Sequence, residues 1–219
     1  MTVRLCPSVL TLEKADVVDQ VLKLSAVADL LHLDVMDGRF VPATTYSLEE
    51  SESIIRSIPL PTDAHLMVED CDYWGPRYAE IGCESVTVHV ESTKELIPTL
   101  RSIRSQGARS SIAIKPATPV EQYLELLGEV DMVLVMTVEP GAGGQKFMAE
   151  MLHKVRTLRA YLDGRDIWLQ VDGGINLSTI EQAAEAGADT FVAGSAVFNA
   201  ADSIQMLKEL RTAAESMRS

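Results

Sequence analysis

A (β/α)8 barrel is the fold class this sequence predicts, and three observations predict it. Short β-branched, apolar runs alternate with longer amphipathic stretches along the whole chain. Some of those runs are apolar throughout, as in Met132-Val133-Leu134-Val135-Met136, which suits a strand buried on both faces of a parallel sheet. Four runs also end on a residue that can bind metal or move a proton: Leu31-His32-Leu33-Asp34, Ala64-His65-Leu66-Met67, Val86-Thr87-Val88-His89 and Leu169-Gln170-Val171-Asp172. A barrel collects such strand ends at one mouth, which makes the chain an enzyme candidate.

Taken in order, Arg4–Ser8 reads as the first strand and the amphipathic Leu12–Leu24 as the helix after it. Leu30–Val35 is the second strand, and its alternation points His32 and Asp34 the same way. Asp63–Val68 and Tyr73–Ile81 follow, then Ser85–Val90 and Lys94–Ser105, then Ser111–Lys115 and Val120–Leu127. Met132–Met136 leads to Met148–Leu162, Trp168–Asp172 to Ser178–Ala186, and Thr190–Ala193 to the closing Ile204–Met217. Gly82, Gly107 and Gly187 each follow a helical pattern and precede a strand, the place for a left-handed cap. The longest irregular stretches, Met36–Ser47 and Thr137–Phe147, follow strands two and six, on the side where a barrel keeps its site. Nothing reads as a linker, so residues 1–219 are expected to form a single barrel domain. The competing architecture, an open doubly wound sheet, needs a reversal of strand order, and eight strands fit closure better.

Composition narrows the class. The chain is 47% apolar and 23% charged, as soluble globular proteins are. No apolar run approaches the ~20 residues of a membrane helix, and no signal or transit peptide is evident. Cys6, Cys71 and Cys83 are scattered without a C-x-x-C pair, which fits a reducing cytoplasm and argues against a disulfide framework or a zinc knuckle. A net charge of -13 disfavours nucleic acid. It opposes a phosphorylated metabolite only mildly, because backbone N–H groups at helix starts can hold a phosphate without basic side chains.

His32, Asp34, His65 and Asp172, from strands two, three and seven, offer two imidazoles and two carboxylates, a set that suits Zn2+, Mn2+, Fe2+ or Co2+. Any one of them could merely cap a turn; four at one barrel end favour a metal. His89 is either a supporting residue behind the metal or a substrate contact, and His153 lies in a helical pattern, on the surface. Gly141-Ala142-Gly143-Gly144-Gln145, Gly173-Gly174 and Gly194-Ser195 follow strands six, seven and eight. The loops after strands seven and eight are the recurrent phosphate grip of such barrels. Met36, Met67 and Met136 fall at strand ends, as core filler or as an apolar floor that keeps an intermediate dry. Ser8 either bonds substrate or caps the first helix.

Several runs resemble the ribulose-phosphate 3-epimerase family. They are His32-Leu33-Asp34-Val35-Met36-Asp37-Gly38-Arg39-Phe40-Val41-Pro42, Asp63-Ala64-His65-Leu66-Met67-Val68, Val135 through Phe147, Val171-Asp172-Gly173-Gly174 and Ala193-Gly194-Ser195-Ala196. The resemblance extends from Cys6-Pro7-Ser8 to the last strand. It implies a ribulose-phosphate-binding TIM barrel that interconverts D-ribulose 5-phosphate and D-xylulose 5-phosphate, in the pentose phosphate pathway and the Calvin cycle. It implies that His32, Asp34, His65 and Asp172 hold one divalent ion per subunit and that Asp34 and Asp172 are the acid/base pair. Ser8 and His65 then contact substrate, Met36, Met67 and Met136 flank the intermediate, and Gly143, Gly144, Gly174, Gly194 and Ser195 bind the phosphate. A homo-oligomer, dimer or hexamer, is expected.

The chain departs from the family pattern at the mouth. An Asn, two residues and a Gly are usual after Pro42, where this chain has Ala43-Thr44-Thr45-Tyr46-Ser47, and an aromatic is usual at Ala142. The first helix-to-strand turn, Ser25 to Asp29, lacks the usual Gly. An allulose-6-phosphate 3-epimerase is therefore the alternative, although Gly144-Gln145-Lys146-Phe147 and Gly173-Gly174 look more like the pentulose enzymes. A non-catalytic sugar-phosphate binder would be expected to lack a carboxylate, and a metal-free decarboxylase or synthase barrel would not need this ligand set. The chemistry explains the residue types: inverting a carbon beside a ketone needs a base on one face, an acid on the other and electrostatic stabilisation of the enediolate between them.

Overall fold

The computed structural model describes residues 2–162 and 164–217. Among them, eight parallel strands form one sheet: β1 (Arg4–Pro7), β2 (Leu31–Met36), β3 (Thr62–Met67), β4 (Ser85–His89), β5 (Arg109–Ile114), β6 (Met132–Met136), β7 (Trp168–Asp172) and β8 (Thr190–Ala193). From β2 to β8 each strand pairs with its neighbour in sequence, and β8 pairs with β1. The remaining seam between β1 and β2 is joined at two levels. A parallel bridge links Ser8 to His32, and below it the Asp29 N–H donates to the Leu5 carbonyl while the Asp29 carboxylate accepts from the Leu5 N–H at 2.7 Å. The sheet thus closes on itself, and the unbroken strand order excludes the reversal that a doubly wound sheet requires.

Outward-facing residues such as Leu33, Leu66, Val88, Ile112, Val135, Val171 and Phe191 are buried in the main core. Helices α1 (Val17–Leu24), α2 (Leu48–Ser57), α3 (Cys71–Glu80), α4 (Leu96–Ser105), α5 (Leu152–Tyr161), α6 (Leu177–Glu185), α7 (Ser195–Phe198) and α8 (Ser203–Ser216) alternate with the strands. None of these is long and apolar enough to cross a membrane. Gly82, Gly107 and Gly187 adopt φ of 100°, 93° and 110°, the left-handed caps expected from the sequence.

Two elements differ from the sequence reading. Helix α2 lies in a stretch where no helical pattern is visible, because Leu48–Ser57 buries only Ser51 and Ile54. Its signal is at the start: Ser47 accepts from the Glu50 N–H while Glu50 accepts from the Ser47 N–H, a capping box. The expected helix after β5 winds instead in 3-10 turns over Val120–Glu129, with only Val120 and Leu127 buried to anchor it.

One outer side chain braces a loop at the barrel mouth. Lys154 of α5 is buried, and its ammonium donates to the carbonyls of Lys115, Pro116 and Thr118 at 2.9, 2.7 and 2.6 Å. Lys154→Met would keep the aliphatic bulk and leave those carbonyls short of a donor. A loss on the order of 2 kcal/mol is expected, or about 4–8 °C in Tm for a chain of this size. An unchanged melting temperature would show that the turn does not depend on the ammonium.

Candidate active site

The register of β2 and β3 brings the first groups together. His32 pairs with Asp63 and Asp34 with His65, all on the inner face, and the Met36–Met67 pair lies above them. β7 adds Asp172, whose neighbours in register are Met136 and Val192. One side-chain atom from each of His32, Asp34, His65 and Asp172 lies within 4.8 Å of the other three. His65 Nδ1 stands 3.1 Å from Asp34 Oδ1 and 3.3 Å from His32 Nε2. Asp172 Oδ2 lies 3.6 Å from His65 Nδ1 and 3.8 Å from His32 Nε2.

Each of these groups is held from behind. Asp63 is fully buried and accepts from Ser85, Thr87 and Gln170 as well as from His32 Nδ1 at 2.9 Å. That carboxylate fixes a His32 proton on Nδ1 and aims Nε2 at the cluster, the orientation a ligating imidazole needs. Asp34 gives Oδ1 to the cluster, and its Oδ2 accepts from Ser8 Oγ at 2.7 Å. Thr45 Oγ1 donates to the Asp34 carbonyl and accepts from the Met36 N–H, so the loop after β2 locks the end of that strand. Thr137 ties β6 to β7 in the same way, donating to the carbonyls of Asp172 and Gly173. Sequence reasoning missed Asp63, Thr45, Thr137 and Gln170 as supporting residues. Asp63 was recoverable, since it stands two residues before His65 on the same face of the strand.

The four groups fit a divalent ion on their chemistry alone. Two carboxylates and two imidazoles, three of them buried and all aimed at a common point, crowd their acceptor atoms together unless protons or a cation sit between them. Burial opposes charge on Asp34, but His32 and His65 outweigh it and hold its carboxyl far below the usual range. Burial, seconded by the Asp34 charge, pushes Asp172 up to about 6. Burial disfavours the imidazolium form of His32, yet Asp34 and Asp63 together raise it well above an ordinary histidine. The two carboxylates are therefore driven apart in opposite directions.

The cavity above this cluster is lined by Ser8, Met36, Met67 and Met136, by Asp34 and Asp172, and by Gly143, Gly144, Gly174, Gly194 and Ser195. Its lining contains no Lys or Arg. The glycines are there for space as much as for φ. A Cβ on Gly174 would come 2.6 Å from the Phe147 backbone nitrogen, and one on Gly143 would come 2.7 Å from Thr11 Cγ2. Among the altered positions, Ala142 lines the cavity, Ala43 packs beside Met36, Val41 and Met67, and Ser47 is the N-cap of α2. His153 is exposed on α5. His89 is buried outside the four-residue cluster, its Nε2 2.9 Å from Nε2 of His65 and its Nδ1 3.0 Å from Glu91. Burial pushes His89 down to about 4, so it is neutral.

Comparison with known proteins shows the family. The sequence model described as the ribulose-phosphate 3 epimerase family matches residues 4–198. A ribulose-phosphate 3-epimerase of Mycobacterium tuberculosis (strain ATCC 25618 / H37Rv) is 47% identical over 94% of this chain and 91% of its own. One from Bacillus subtilis (strain 168) is 36% identical over 95% of this chain and 98% of its own. Among solved structures, 3-hexulose-6-phosphate synthase from Salmonella typhimurium superposes with a TM-score of 0.73 over 98% of this chain and 99% of its own. At 20% identity that likeness establishes the barrel and says nothing of the chemistry.

Proposed function

Because the chain belongs to the ribulose-phosphate 3-epimerase family, we propose that it interconverts D-ribulose 5-phosphate and D-xylulose 5-phosphate by passing the C3 proton between Asp34 and Asp172. The observation that carries this reading is the pair of carboxylates itself. Both lie in one cavity and reach it from different strands, Asp34 from β2 and Asp172 from β7. A base must start ionised and its partner acid protonated, and the roles exchange with the direction of reaction. One carboxylate takes the C3 proton, leaving an enediolate, and the other returns a proton to the opposite face.

The remaining residues supply position and environment. His32, Asp34, His65 and Asp172 would hold a divalent ion, which when bound supplies Lewis-acid stabilisation of the charge that develops on oxygen as C3 loses its proton. Ser8 holds Asp34 by its second oxygen and lines the cavity, whereas His65, expected from the sequence to touch substrate, is fully buried behind the lining with its ring nitrogens turned to the cluster and to His89. Met36, Met67 and Met136 keep water from the reacting carbon. Backbone N–H groups of Gly143, Gly144, Gly174, Gly194 and Ser195 take the phosphate, since the lining has no basic side chain.

The test is activity and metal content together. The purified chain should epimerise ribulose 5-phosphate and carry about one divalent ion per chain. His32→Ala and His65→Ala should each deplete the ion, and full retention in both would remove the metal from this reading. A hexulose phosphate is the second possibility, favoured by the small Ala142 in the lining. Competition between ribulose 5-phosphate and allulose 6-phosphate should favour the pentulose, and a higher kcat/KM for the hexulose would reverse the substrate assignment while leaving the epimerase.

A further inference from the structure

Behind His65, away from the cavity, a chain of hydrogen bonds leads through three more elements. His65 Nε2 lies 2.9 Å from His89 Nε2, at the end of β4. His89 Nδ1 lies 3.0 Å from Glu91 Oε2. The other oxygen of Glu91 accepts from the Lys115 N–H at 2.9 Å and from the Thr118 hydroxyl at 2.6 Å. That turn is in turn gripped by the buried ammonium of Lys154 through the carbonyls of Lys115, Pro116 and Thr118. His89 is fully buried between the Phe40 ring, 4.8 Å away, and the His65 ring, 5.0 Å away.

With His89 neutral, the donors and acceptors along this chain can be ordered in one way. The Lys115 N–H can only donate, so Glu91 must present an acceptor to it; an ionised carboxylate then presents an acceptor to His89 as well. His89 must therefore carry its proton on Nδ1. In a neutral imidazole that leaves a lone pair on Nε2, and the short distance to His65 requires the shared proton to sit on Nε2 of His65. A neutral His65 so fixed has its lone pair on Nδ1, the atom that lies beside Asp34 Oδ1, His32 Nε2 and Asp172 Oδ2.

We propose that Glu91 is a positioning residue for the metal centre: through His89 it fixes the tautomer of His65, so that Nδ1 of His65 offers a lone pair to the cluster. His32 and His65 are then oriented by matching devices, a direct carboxylate from Asp63 for one and a carboxylate relayed through a second imidazole for the other. The inference rests on the cluster holding a divalent ion, and the mouth loop enters it only by fixing which oxygen of Glu91 faces His89.

Glu91→Gln tests it because it keeps shape and reverses polarity at one point. The amide oxygen must face the Lys115 N–H, so the amide nitrogen faces His89 Nδ1 and donates to it. The His89 proton then moves to Nε2 and opposes the proton on His65. Zn2+ affinity, measured by competition with a chelator, should fall about 10–100-fold. In a His89→Phe background the same substitution should change affinity by less than about 2-fold, the limit for uncoupled sites. A merely structural effect through the turn at 115–118 would persist in both backgrounds. Nitrogen-15 NMR of the metal-free wild type, with only four histidines to resolve, should find His89 protonated on Nδ1 and His65 protonated on Nε2. Undiminished zinc affinity of Glu91→Gln, an equal loss in both backgrounds, or a wild-type His89 protonated on Nε2 would each overturn the relay. If the wild type binds no zinc, the metal reading fails on its own, and the NMR pattern alone decides the role of Glu91.

Discussion

Asp34→Asn and Asp172→Asn are each expected to cut epimerisation by at least ~10²-fold, the usual worth of a positioned acid or base. An amide keeps the shape of the carboxyl and cannot take the C3 proton. Asp34 is almost enclosed while the Asp172 side chain is 16% exposed, and they stand on β2 and β7, on different sides of the barrel axis. A variant keeping one base can still remove the proton from the epimer that presents C3 to it. That variant should exchange the C3 hydrogen of one sugar with D2O without inverting it, and the two variants should prefer opposite epimers. Metal content has to be measured beside the rates, because both residues are also candidate ligands and a lost ion would mimic a lost base. Near-wild-type turnover in a metal-replete variant would strip that aspartate of its acid/base role. Loss of exchange on both epimers with metal retained would end the division into one base per face.

The split between these carboxylates is a consequence of the fold that residue types alone do not reveal. In sequence Asp34 and Asp172 are equivalent strand-end acids. In the barrel Asp34 faces His32 on its own strand and His65 on the neighbouring one, whereas Asp172 reaches across to the same imidazoles at longer range and meets the Asp34 charge. The strands themselves were legible because periods of two and runs of β-branched residues are local signals. His32 and Asp34 could be placed on one face from their spacing alone. Helix α2 was not legible from periodicity, since its inward face carries a serine and an isoleucine rather than an apolar stripe. Asp63 lies two residues before His65 on the same strand, so the alternation that places the histidine places it too, whereas Glu91 lies past the end of β4 in a 3-10 turn that a period of two does not reach. Whether such a carboxylate meets an imidazole depends on the neighbouring strand's register, which no single segment encodes. Lys154 was invisible for the same reason: a lysine in an amphipathic helix reads as surface until the loop it binds is brought beside it.

Free D-ribulose is expected to be a far poorer substrate than its 5-phosphate, with kcat/KM lower by on the order of 10²-fold or more, because binding energy from the remote group is what orients C3 between the two carboxylates. The glycines of the cavity wall leave little space for side chains of their own. Beside Gly194 the Ser8 carbonyl would stand 3.1 Å from an added Cβ, and beside Gly174 the Phe147 backbone would stand closer still. The Gly194 backbone has φ of -102° and ψ of -88°, off the regular helical and extended regions, so a side chain there presses on the Ser8 carbonyl as well as changing the space and charge. Gly194→Asp, its folding checked by circular dichroism, should raise KM for the phosphorylated sugar sharply, since its carboxylate occupies the region assigned to an anion. Its effect on the residual turnover of free ribulose should be small, because the acid/base pair on β2 and β7 is untouched. Equal turnover of the free and phosphorylated sugars by the wild type would remove the phosphate from the glycine-lined wall. So would a Gly194→Asp variant that loses both activities alike, since the damage would then lie at the carboxylates rather than at the anion.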